Sequence, residues 1–151
     1  MRESLRTSLK YNQSGDIVPN EEQKEKLHKC LEWCKVWRNR LGIHPDFIIG
    51  LEYIGPKDYL MWMEDELGYY NRFTIYISDD ALAEPEEDLE SVCAHELLHV
   101  VMWPFRKFCT ELAPEHKDVI ESREEAVVTQ LEWSFGRLFK LHGVEPWQKN
   151  T

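Results

Sequence analysis

Two histidines four residues apart, with a glutamate directly after the first, are the residues of this chain best suited to chemistry: His95-Glu96-Leu97-Leu98-His99. On an α-helix, residues four apart lie on one face, so both imidazoles can grip one metal ion. Glu96 then sits about 100° round the helix from His95 and about 60° from His99, close to the metal without ligating it. A Zn²⁺ held by two neutral imidazoles and a third protein ligand keeps a position open for water and lowers that water's pKa toward neutrality. Glu96 is placed to take the proton. The alternative is a pair of hydrogen-bonded core histidines. Burying two imidazoles and a carboxylate without metal or partners would cost about 1–3 kcal/mol each.

This chemistry requires a helix, and the flanking residues predict one. Glu84-Pro85-Glu86-Glu87-Asp88 puts a proline at the first helical position and acidic side chains in the first turn, where the helix dipole favours them. Leu89, Val92, Cys93, Ala94, Leu97, Leu98, Val100, Val101 and Met102 leave few polar positions besides Ser91, His95, Glu96 and His99. The helix is therefore expected to be buried. Pro104 is expected to end it, because the residue before a proline is pushed out of the α region.

With 151 residues, 42% of them hydrophobic, the chain reads as one domain with a core large enough to need no staples. Its 28 acidic against 18 basic residues give a net charge of −10. That balance argues against a nucleic-acid partner, whose phosphates require clustered Lys and Arg. No stretch approaches a membrane span or a secretory signal, so a cytoplasmic location is expected. Cys30, Cys34, Cys93 and Cys109 form no C-x-x-C pair and read as free thiols, although Cys30 and Cys34, one turn apart, could join a soft-metal site.

Residues 1–19 lack a clear period and are expected to form a loosely ordered arm. Asn20 with Gln23 reads as a capping box for a helix running to about Leu41, where Gly42 can take the left-handed conformation. Three strand-like runs follow: 47–54, 59–63 and 72–78. Their short connections predict an antiparallel three-stranded meander. The segment 105–113 reads as a loop or short helical turn. A last helix is expected from Pro114 to about His142, ending at Gly143 with Pro146 beyond, its buried stripe formed by Val127, Val128, Leu131, Phe135, Leu138 and Phe139.

An α+β order of helix, strands, H-E-x-x-H helix and glutamate-bearing helix resembles the zincin metallopeptidases. More narrowly it resembles small gluzincins of bacterial and phage type, and the likeness spans about Asn20 to His142. For a phage-encoded relative the cytoplasm would be the host's. The resemblance implies a third zinc ligand on the last helix, with a polar residue four further on that holds an imidazole. Glu125 with Thr129 is the nearest match; Glu124, followed at that distance by Val128, competes. The chain lacks the Gly and His that metzincins carry after the motif, where it has Met102 and Phe105, and it lacks the upstream ligand motif of peptide deformylases. His116, seventeen residues beyond His99, instead matches the third histidine of SprT-like proteases.

The resemblance thus implies a zinc peptidase acting on peptides or proteins, with zinc on His95, His99 and Glu125 and with Glu96 as general base, then acid. A donor for the tetrahedral intermediate is also needed, and Tyr76, Tyr69, Tyr70 and His142 are candidates. The competing readings are a non-catalytic, metal-stabilised module that binds a partner protein, and an SprT-like protease using His116.

Overall fold

The computed structural model describes residues 6–11, 17–66 and 71–141, the side chains of 139–141 excepted. Tyr69, Tyr70, His142, Gly143, Pro146 and the side chain of Phe139 therefore lie outside the described residues. The fold is α+β. In chain order it runs β1 (Thr7–Tyr11), α1 (Glu21–Arg40), β2 (Ile48–Gly55), β3 (Met61–Asp65), β4 (Arg72–Ser78), α2 (Asp79–Leu82), α3 (Glu86–Leu112), a 3₁₀ turn (Pro114–His116) and α4 (Lys117–Leu141).

The capping box at the start of α1 is present: the Asn20 side chain accepts from the Gln23 N–H, and the Gln23 side chain accepts from the Asn20 N–H. Beyond its last turn, Gly42 has φ +65°, the conformation expected after a helix end. Leu27, Cys30, Trp33, Cys34 and Trp37 turn one face of α1 into the core.

The sheet differs from the expected meander. Its order is β1-β2-β4-β3, with β2 parallel to both β1 and β4, and only β3–β4 antiparallel. Burial explains the choice: the two longest strands, β2 and β4, occupy the centre, where Ile49, Leu51, Tyr53, Phe73, Ile75 and Ile77 all face the helices. β3, carrying Trp62, Glu64 and Asp65, suits an edge. The link after Gly55 (φ +74°) must cross two strand spacings, roughly 10 Å, which five residues reach easily.

Within the segment expected as a loosely ordered arm, Thr7–Tyr11 instead forms an edge strand, while residues 1–5 and 12–16 lie outside the described residues. Arg38 supplies the anchor that local sequence patterning does not reveal. Buried at the end of α1, its guanidinium donates to the Arg6 carbonyl, the Thr7 hydroxyl and the carbonyls of His44 and Phe47.

Pro104 does not end the H-E-x-x-H helix, and the segment expected as a loop or short helical turn at 105–113 is helical almost throughout: α3 continues to Leu112, with Pro104 inside it and Pro85 as its N-cap. An internal proline loses one hydrogen bond and crowds a carbonyl, a cost of about 3 kcal/mol. The flanking turns offset it with contacts elsewhere. Trp103 packs edge-on to core residue Phe73, and Arg106 pairs with α4.

The expected apolar stripe of α4 is only partly present: Val128 is fully buried, whereas Val127 and Leu138 are exposed. Its inward face carries carboxylates instead. No helix among the described residues is long and apolar enough to cross a membrane. The four cysteines are free thiols, three of them buried.

Candidate metal centre

The H-E-x-x-H turn lies in the middle of α3, and α4 packs alongside it, bringing Glu125 over the two histidines. Glu125 Oε1 is 2.8 Å from His95 Nε2, Glu125 Oε2 is 3.0 Å from His99 Nε2, and the two Nε2 atoms are 3.3 Å apart. Among the described residues this is the group whose donor atoms could together hold a metal ion. The spacing suits zinc: bonds of about 2.0–2.1 Å in a tetrahedral site put neighbouring donors about 3.3 Å apart.

Each imidazole is held from behind by a carboxylate. Glu132 Oε2 lies 2.9 Å from His95 Nδ1, and Glu124 Oε1 lies 2.7 Å from His99 Nδ1. A carboxylate at Nδ1 retains the proton there, leaving the Nε2 lone pair for a metal. These carboxylates are themselves held. The Ser91 hydroxyl donates to Glu132, while Arg106 Nε is 3.2 Å from Glu124 and its terminal nitrogen 2.7 Å from Glu121. Arg106 also lies over the Trp103 ring, 5.0 Å from its centroid.

Thr129, the residue expected to hold an imidazole, is exposed instead. Glu124, expected as a rival ligand, is the buried support of His99. Glu132 was missed. Its signal was present in the periodicity: Glu121, Glu124, Glu125 and Glu132 recur at helical spacing, so all four share one face of α4. His116 is exposed in the 3₁₀ turn beside Glu115 and is not part of the group.

Glu96 is buried, beside the backbone of Met63 on β3. Burial raises its carboxyl above the usual range, with His99 and His95 opposing the shift. Burial also works against the charged form of His95, but Glu132, Glu125 and Glu96 outweigh it and raise the imidazole's pKa. For Glu132, burial is overcome by hydrogen bonds from His95 and Ser91, which bring it below the ordinary carboxylate value.

The group opens into a cleft of about 570 Å³ between β3 and the α3–α4 pair. Tyr59, Leu60 and Val92 form apolar wall, and five carboxylates (Glu96, Glu121, Glu124, Glu125 and Glu132) face a single guanidinium, Arg106. That negative excess favours a bound cation. Tyr76 is not on the cleft. It pairs with Glu52 and Trp62 across the outer face of the sheet, opposite the face that Ile75 and Ile77 present to the helices. Tyr59 is the phenol that lines the cleft; burial, then Glu64 and Asp58, raises its pKa, so its hydroxyl stays protonated as a donor.

Comparison with known proteins yields no relative: no protein family, no curated protein and no solved structure matches this chain.

Proposed function

We propose that the chain is a zinc-dependent peptidase of gluzincin type, with His95, His99 and Glu125 as ligands and Glu96 as general base. The observation that carries this reading is the placement of Glu96. A purely structural site has no use for a carboxylate that is buried beside the ligands, yet is not one of them.

Zinc bound there would supply a Lewis acid and make a water acidic enough to attack an amide near neutral pH. Glu96, with its pKa raised, is tuned to accept a proton from the nucleophile and pass it to the leaving amine. Glu132 and Glu124 keep the imidazole protons on Nδ1. Tyr59 is the cleft's hydroxyl donor for a developing oxyanion. β3 is an edge strand bordering the cleft, so an extended peptide can run along it by adding main-chain hydrogen bonds, which favours polypeptide over small substrates.

The test combines metal analysis with one substitution. Protein purified without chelator is expected to carry one zinc per chain. Glu96→Gln should retain the zinc and the fold while losing cleavage of a diverse peptide library by about 10²–10⁴-fold. Absence of zinc uptake would sink the metal site. Bound zinc with no cleavage by wild-type protein would favour the non-catalytic binding module.

A further inference from the structure

The edge strand β3 borders the cleft with two unlike faces. Met61 and Met63 point toward the helices and are buried, so the alternation of a strand turns Trp62 and Glu64 outward. Trp62 is 47% exposed, and its indole N–H donates to Glu64 Oε1 at 3.2 Å. The Tyr59 ring walls one side, its centroid 6.2 Å from that of Trp62 and its plane tilted by 51°. Tyr76 stands opposite Trp62 on β4, where burial, then Glu64 and Glu52, raise its pKa. Aromatic rings and carboxylates thus converge at one point on the rim, and both Tyr59 and Trp62 line the cleft itself.

Elsewhere the chain completes this combination with an arginine of its own. Arg40, Arg106 and Arg137 lie over Trp37, Trp103 and Trp133, 4.9, 5.0 and 4.9 Å from the ring centroids. Arg106 pairs at the same time with Glu121 and Glu124. Trp62 and Glu64 repeat the indole and the carboxylate, but among the described residues no Lys or Arg lies over that ring or within 4.0 Å of that carboxylate. Arg72, on the same face of β4, is turned to Glu66 at 3.9 Å.

We infer that the cleft selects polypeptides that carry an arginine beside β3, its guanidinium stacked on the Trp62 ring and paired with Glu64. The inference rests on the peptidase reading for the class of ligand, an extended polypeptide added to the unpaired edge of β3. Side chains of an added strand alternate in step with those of β3, so those on its outer face fall next to Trp62 and Glu64, with Cβ atoms about 4.5–5.5 Å apart. Arginine suits the pair better than lysine, because a planar guanidinium stacks on an indole while its fork reaches a carboxylate. The net charge of −10 also draws a cationic peptide toward the chain.

Fluorescence anisotropy tests it with short labelled peptides of alternating Thr and Val, identical except for one central residue: arginine, lysine or citrulline, the last having the shape of arginine without its charge. Binding is measured on Glu96→Gln protein, so that cleavage does not intervene. The arginine peptide is expected to bind about tenfold more tightly than the citrulline peptide, with lysine between them. Trp62→Ala and Glu64→Gln, both at exposed positions and so compatible with folding, should each remove most of that preference. Equal binding of the three peptides, no binding of the arginine peptide, or a preference that survives both substitutions would each overturn the proposal. Cleavage by the wild-type protein separates it from the peptidase reading. Equal cleavage of all three peptides would remove the arginine contact and keep the peptidase, whereas arginine-selective binding without cleavage would keep the contact and count against the peptidase.

Discussion

His95 and His99 stand one turn apart on the same helix face, yet their supports are built differently. Behind His99, Glu124 is almost fully buried, with a side chain 4% exposed, and is tied to a guanidinium that also holds Glu121 and rests on Trp103. Behind His95, Glu132 is 21% exposed and is backed by the neutral Ser91 hydroxyl. A buried ion pair that loses one partner leaves a charge stranded, whereas a partly exposed carboxylate on a hydroxyl leaves little behind. The His99 side is therefore framework as well as site. The His95 side serves the site alone.

Substitutions in α4 put this contrast at risk, beginning with the residue common to both sides. Glu125→Ala removes a candidate ligand and should lower zinc affinity by more than the roughly 10–100-fold that loss of a supporting carboxylate costs. A competition titration measures it, and a smaller loss than for Glu124→Ala would move the ligand by one residue.

Glu124→Ala comes next. It should weaken zinc binding within that 10–100-fold range and also cost about 2 kcal/mol of folding stability, because Arg106 keeps only Glu121. The denaturation midpoint of the metal-free protein reads the second effect separately from the first. If Glu124→Ala unfolds at the same denaturant concentration as wild type, the His99 side is no more structural than the other.

Glu132→Gln should have the smallest effect, about tenfold in zinc affinity with stability changed by about 1 kcal/mol or less. It also sharpens the contrast through pH. A metal must displace the proton from His95, whose pKa is raised by Glu132, Glu125 and Glu96 against the effect of burial. Zinc affinity of the wild type should therefore begin to fall while the pH is still above the ordinary histidine value of 6.5. Removing the Glu132 charge lets burial dominate more, so the fall should move to lower pH. An unchanged profile would mean that Glu132 does not set the proton affinity of His95.

Some features were legible because they are short-range. The capping box Asn20–Gln23, the left-handed Gly42 and the strand 72–78 depend on neighbours within a few residues, and each stands where expected. The features misread depend on distant partners. The short links between the strands predict a meander, but apolar burial places β4 between β2 and β3. The local geometry of Pro104 predicts a stop, but Phe73, Glu121 and Glu124 reward the turns around and beyond it.

What the sequence determined by itself is the paired imidazoles, because 3.6 residues per turn places His95 and His99 on one face in any helix that contains them. The same arithmetic puts Glu121, Glu124, Glu125 and Glu132 together on another helix. It cannot say which carboxylate meets which nitrogen. That depends on the rotation and offset of α4 against α3, set by burying Val128 and pairing Arg106, and a shift of one residue, about 100° of rotation, would exchange Glu124 and Glu125. Only the packed pair of helices puts Glu125 on the Nε2 side of both rings and leaves Glu124 and Glu132 behind them.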